Sequence, residues 1–244
     1  VPSRGGRGDA DDDGPLLELL RAIASGSQAD VVRRLDASPA LATRPVRVGA
    51  SRNGPDGYFL VAIRHWVYRG DTALHLAAAA YQPEIAALLL ARGADVRARN
   101  RRGAEPLHYA ADGSPGAAWW DPDGQRQVVE LLIQAGADPN ALDKSGVAPL
   151  HRAVRTRSSE TVRALIDNGA DPRLENKSGS TPLHLAVQNT GRSNSGSDAA
   201  KEEQRRVIDV LLERGARPTD TDANGKTVAA AASSDWIREL LRSD

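Results

Sequence analysis

Apolar residues come in short bursts at helical spacing, and most bursts run into a glycine. Leu16, Leu19, Leu20 and Ile23 share one face of a helix near the start of the chain. Further on, "EIAALLLA" (84–91), "VVELLIQ" (128–134), "TVRALID" (161–167) and "VIDVLLE" (207–213) each lead to a Gly-Ala pair, at Gly93, Gly136, Gly169 and Gly215. A glycine just past an apolar helix predicts a left-handed C-cap. Ahead of each burst lies an alanine-rich stretch with a fixed polar grammar. These stretches predict a second, smaller helix whose small side chains permit close packing.

The grammar is explicit: "TALHLAA" at 72–78, "EPLHYAA" at 105–111, "APLHRAV" at 148–154 and "TPLHLAV" at 181–187, at spacings of 33, 43 and 33 residues. Pro106, Pro149 and Pro182 suit the first turn of a helix, where a missing N–H costs nothing. Thr181 reads as an N-cap, and Thr72 opens the same motif. A further glycine (Gly103, Gly146, Gly179, Gly225) marks a hairpin-like finger leading into the next motif. Each unit is finger, inner helix, outer helix. Over residues 70–232 the combination of motif, period and Gly-Ala-Asp turn resembles the ankyrin repeat. The resemblance implies an all-α repeat solenoid of helix-turn-helix units with β-hairpin fingers, about six units including caps, docking protein partners on its fingers and inner helices.

The expected organisation is a disordered polar tail at 1–14 and a single domain at 15–244. Within the domain we expect an N-terminal helical cap (15–43), an extended hairpin (44–69), repeats at 70–102, 103–145, 146–178 and 179–224, and a C-terminal cap (225–244). Three segments exceed the period. "DGSPGAAWWDPDG" (112–124) and "NTGRSNSGSDAAKE" (189–202) fall between inner and outer helices, so both emerge on the edge remote from the finger tips. The first carries Trp119 and Trp120, which either fold back over the helix ends or anchor a ligand. The third, 44–70, predicts a long β-hairpin turning at Pro55-Asp56-Gly57. Its second run would place Phe59, Val61, Ile63 and Val67 on one face and Leu60, Arg64, Trp66 and Tyr68 on the other.

Composition changes the picture little. Aromatics are 4% of the 244 residues, so the core must be aliphatic, and 32 basic residues balance 32 acidic ones, which argues against nucleic acid as the general partner. No apolar run reaches a membrane span, and the absence of cysteine leaves the fold independent of redox state. These features predict a cytoplasmic monomer. The excess of Arg over Lys with abundant Ala points to a GC-rich bacterial genome. Local charge is more informative: residues 44–102 hold ten Arg and four acidic residues, whereas 103–198 is net acidic.

The surface expected to bind a partner is therefore the N-terminal end of the groove, with Arg64, Trp66, Tyr68, Arg97, Arg99, Arg101, Arg102 and Tyr109 as its residues. The partner would carry an acidic, partly apolar segment. The other reading is small-molecule or nucleic-acid recognition, using the Trp119/Trp120 edge or the Arg-rich finger. His75, His108, His151 and His184 share one motif position and should lie on a ladder with rungs near 10 Å, too far apart to converge on a metal. No phosphate loop, dinucleotide fingerprint or nucleophile elbow occurs. We expect no catalysis, no metal and no cofactor.

Overall fold

The computed structural model describes residues 13–51, 56–113, 115–188 and 196–242. Among these are twelve helices: α1 (Gly14–Ala24), α2 (Gln28–Ala37), α3 (Ala73–Ala79), α4 (Pro83–Ala91), α5 (Pro106–Ala110), α6 (Pro122–Gln134), α7 (Pro149–Thr156), α8 (Ser159–Asp167), α9 (Pro182–Ala186), α10 (Asp198–Glu213), α11 (Val228–Ala231) and α12 (Asp235–Leu240). The odd-numbered helices pack in succession, α1 on α3 through to α9 on α11, and α4, α6, α8 and α10 form a second row. The two rows bury one continuous core. Leu16, Leu20, Leu74, Leu76, Leu107, Leu132 and Leu150 are among its largest fully buried side chains, and alanines such as Ala77, Ala110 and Ala153 let the inner helices close on one another.

Each motif histidine ties one unit to the next. In His151, Nδ1 accepts the Ala148 N–H at 3.2 Å and Nε2 donates to the Ser180 carbonyl, also at 3.2 Å. His75 spans Thr72 and Ala104, His108 spans Glu105 and Val147, and His184 spans Thr181 and Lys226 in the same way. The backbone donor on one side fixes Nδ1 as acceptor, which leaves the proton on Nε2.

The fingers are closed by Asn100, Asp143, Asn176 and Asp222. Each side chain accepts the backbone N–H groups two and four residues on, at 2.8–3.1 Å. Neighbouring fingers then join backbone to backbone, Arg101 N–H to Arg69 O at 2.8 Å, Lys144 to Arg102 at 2.9 Å and Ala223 to Ser178 at 3.1 Å. Such close approach requires glycine. A Cβ on Gly179, whose φ is +68°, would lie 2.3 Å from the Ala223 nitrogen.

Two expectations are corrected. The tail expected over 1–14 does not extend to Asp13 and Gly14: Gly14 opens α1, and the buried Asp13 carboxylate accepts the N–H groups of Arg47 and Val48 at 3.1 Å. The remainder of that tail, 1–12, lies outside the described residues, as does 189–195 of the second insertion. The expected long hairpin is not one continuous ladder: 46–50 lie antiparallel beside 67–71, with a bridge between Gly49 and Tyr68, and a separate short hairpin forms the tip. Strands β1 (Phe59–Leu60) and β2 (His65–Trp66) pair antiparallel, and the reversal occurs at Val61–Ile63, a single 3₁₀ turn followed by Arg64 at φ 48°. A turn with three residues per revolution aligns Leu60 with Ile63, which are buried together with Val67, and throws Val61 outward to 77% exposure. Burial of these three apolar groups overrides the two-residue alternation.

Candidate partner-binding surface

The first finger is built on a conventional base with an inserted tip. Residues 46–50 run beside 67–71, through Val46 N–H to Asp71 O, Gly70 N–H to Val46 O and Ala50 N–H to Val67 O at 2.7–2.8 Å. Beyond this base, Phe59 and Trp66 face each other across β1 and β2 with ring centroids 4.7 Å apart, both half-buried. Val48 at 62% and Val61 at 77% are two of the three large hydrophobic side chains most exposed among the described residues. The third, Leu142, lies two fingers away. Apolar exposure is therefore concentrated on the first finger.

Cations border it. The Arg101 and Arg102 guanidinium groups sit 5.0 and 4.3 Å from the centroid of the Tyr68 ring, which orients both without neutralising either. Among the described residues, neither they nor Arg69 pairs with a carboxylate. Arg64 is also exposed. Arg99 differs, since its Nε and Nη2 both reach Glu105 Oε1 at 2.9 Å. Burial raises the Glu105 pKa against the pull of Arg99, and its buried Oε2 has no hydrogen-bond partner among the described residues. Arg97 donates to the Gly136 carbonyl at 2.8 Å. The geometry thus gathers Tyr68, Arg101 and Arg102 into one cluster and gives Arg97 and Arg99 bonds of their own.

Tyr109 does not belong to that surface. It is 4% exposed because the inserted tip reaches across the groove and lays His65 on it, with ring centroids 4.9 Å apart. The Tyr109 hydroxyl donates to Asp71 Oδ1 at 2.8 Å and accepts from Asn100 Nδ2 at 2.9 Å, while Asp71 Oδ2 takes the Tyr68 N–H at 2.6 Å. Burial, then the Asp71 charge, push the phenol well above its ordinary pKa. Burial lowers the pKa of His65, and among the described residues its enclosed Nε2 has no hydrogen-bond partner.

Arg152 and its two carboxylate partners were missed in the sequence. Arg152 occupies the motif position held by Leu76, Tyr109 and Leu185 in the other units, and binds Asp112 at 2.7 Å and Asp143 at 3.2 Å. Burial works to raise the Asp143 pKa, but the Val147 and Ser145 N–H groups and Arg152 hold it low. An arginine in an apolar column was the available signal.

On the remote edge the two tryptophans are both half-buried. Trp119 stacks on Tyr81, 6.4 Å between centroids with planes 13° apart, and the Tyr81 hydroxyl donates to the Asp112 carbonyl at 2.6 Å. Trp120 Nε1 donates to Gln125 Oε1 at 2.9 Å. Asp121 caps α6 by accepting the Gly124 N–H at 3.0 Å. Among the described residues no cluster of three His, Asp or Glu could hold a metal ion, and no helix is long and apolar enough to cross a membrane.

Comparison with known families bears on what such a stack is. The family model described as ankyrin repeats (3 copies) matches residues 19–120 and 116–195, and the single ankyrin repeat model matches 178–223. The chain belongs to the ankyrin repeat family. Ankyrin repeats are in general protein–protein interaction modules and are generally not enzymes. No curated protein matches the chain.

Proposed function

We propose that this ankyrin repeat protein is a non-catalytic binding module that engages an acidic, partly apolar segment of a partner protein at its first two fingers. The reading takes the chain as about six units, caps included, acting as a monomer. It rests on the cluster in which two unneutralised guanidinium groups are held over Tyr68, beside the exposed Val48 and Val61 and the Phe59–Trp66 pair. Apolar anchors would supply affinity, and the arginines would steer approach. Tyr109, enclosed beneath His65, has no part in it.

The test is to capture the partner from the native host and measure association and dissociation rates. Arg101→Glu with Arg102→Glu should slow association and reduce its salt dependence; Trp66→Ala should speed dissociation. Arg206→Glu, on α10, is the control. If the finger variants behave like the control and only changes at Trp119, Trp120 or 189–202 abolish binding, the docking surface lies on the opposite edge.

A further inference from the structure

Beyond the first finger the cations continue in register. The residue after the finger-closing Asn or Asp is Arg101, Lys144, Lys177 and Ala223 in successive fingers, and Tyr68 holds the same place in the first. Each cation leans back on its predecessor in this column. Arg101 lies over the Tyr68 ring, Lys144 Nζ donates to the Arg101 carbonyl at 2.9 Å, and Lys177 Nζ donates to the Lys144 carbonyl. All three are exposed, and none has a carboxylate partner among the described residues. Between the first three fingers, Arg69, Arg99, Arg101 and Lys144 line an open cleft of about 360 Å³. The exposed Glu175, two residues before Lys177, tempers the last rung.

The spacing of this ladder follows from its construction. Each finger contributes two strand widths of about 4.8 Å; backbone hydrogen bonds join the first finger to the second, the second to the third and the fourth to the fifth, and the Lys177 nitrogen approaches the third finger so closely that a Cβ on Gly146 would lie 2.8 Å from it, so the rungs repeat at about 10 Å. A β-strand presents the same face every two residues, or about 6.7 Å, and falls out of step. A polyproline II helix returns to the same face every three residues, about 9.3 Å, and stays in step across all three rungs. An α-helix matches only at seven-residue spacing, over which its face drifts by about 20°.

We infer that the column Arg101, Lys144 and Lys177 binds an extended polyproline II segment of a protein with an acidic residue at every third position. This rests on the protein-binding reading above and specifies the conformation of the segment. The tethered ammonium groups are already ordered, so little side-chain entropy is lost on binding. Single-stranded nucleic acid is disfavoured, because the column offers only the Tyr68 ring, which already carries two guanidinium groups, and no ring at Arg101, Lys144 or Lys177 to stack successive bases.

The experiment uses the full chain at low ionic strength and fluorescence anisotropy of labelled probes of equal charge. These are a proline-based peptide with Glu at every third position, a Thr/Val peptide with Glu at every second, a helical peptide with Glu seven apart, and a single-stranded DNA oligonucleotide. The first should bind at least about tenfold more tightly than the others, a margin that unstructured charge attraction does not produce. Lys144→Glu with Lys177→Glu should erase this preference without shifting the melting temperature. Equal affinity for all probes, or tighter binding of the helical peptide or the DNA, overturns the inference. If the captured native partner is lost by Trp66→Ala but unaffected by Lys144→Glu with Lys177→Glu, the ladder fails and the first-finger reading stands. If neither variant affects capture, that reading fails as well.

Discussion

His65 lies against the ring of Tyr109, in the next unit of the stack, and among the described residues its buried Nε2 has no hydrogen-bond partner. The contact holds the inserted tip of the first finger in the groove, yet it encloses a polar atom that water would satisfy. An unpaired buried group costs about 1–3 kcal/mol, whereas the ring contact is favourable. His65→Phe keeps the second and removes the first, so we expect it to raise stability. His65→Ala should lower it and expose Tyr109. Denaturant unfolding of both variants, with hydrogen exchange at Val67 whose N–H bonds the Tyr58 carbonyl, checks the pair of outcomes.

The motif histidines each satisfy a backbone donor and a backbone acceptor inside the stack. His151→Ala leaves the Ala148 N–H unpaired and removes one of two donors to the Ser180 carbonyl, which keeps the Asn176 N–H at 3.0 Å, and should cost about 1–3 kcal/mol in urea unfolding. Zinc or a chelator should leave the melting temperature of the wild-type protein unchanged. A reproducible shift would contradict a purely structural column.

Acid should weaken the fold from about pH 6.5 downward. Burial lowers the pKa of His65, His75 and His151, and takes His108 to about 4. The unfolded chain binds these protons near pH 6.5, so the stability is fully present above that pH. It declines as pH falls below that, by up to about 1.4 kcal/mol per pH unit for each histidine until that histidine's own lowered pKa is reached, about 4 for His108. Unfolding free energies measured between pH 7.5 and 5.0 should fall, and His108→Gln should flatten the slope.

How much of this could be read from the residues differs from place to place. The repeated Thr/Pro-Leu-His pattern and the glycines after each outer helix fix the helix pairs, because caps and C-caps act locally. The inserted tip could not be read in the same way. Phe59 to Val67 fits a two-residue alternation, and only the core beneath it selects the 3₁₀ turn that buries Leu60 and Ile63. Tyr109 reads as a groove residue from its own unit, but its burial depends on His65, forty-four positions earlier. The run Arg97 to Arg102 is conspicuous as charge, yet only the fold separates Arg99, bound to Glu105, from Arg101 and Arg102.

The last prediction concerns the two interrupted units, whose inner helices α5 and α9 are only five residues long. Each is finished by a buried glutamine from the following outer helix. Gln125 Nε2 donates to the Ala110 carbonyl at 2.7 Å, and Gln204 Nε2 donates to the Ala186 and Gln188 carbonyls at 2.6 and 2.7 Å. The sequence repeats this device as "QRQVV" and "QRRVI", but a polar residue near the start of a helix passes for a solvent-facing one. A helix end leaves carbonyls without partners, so each glutamine replaces the turn that the insertion removes. Gln125→Leu and Gln204→Leu should each cost about 1–3 kcal/mol despite the apolar replacement, because the carbonyls remain buried. Trp120 belongs to the same network through Gln125 Oε1, which also receives the Ser158 hydroxyl at 3.4 Å. Trp120→Phe retains the ring and removes the donor, and combined with Gln125→Leu it should cost less than the two single losses added together. Trp119→Ala, which loses only its stack on Tyr81, should add independently of Gln125→Leu. Urea unfolding of these single and double variants decides it. Strict additivity between Trp120 and Gln125 would show that the tryptophan lies on the surface of the edge and has no part in closing α5.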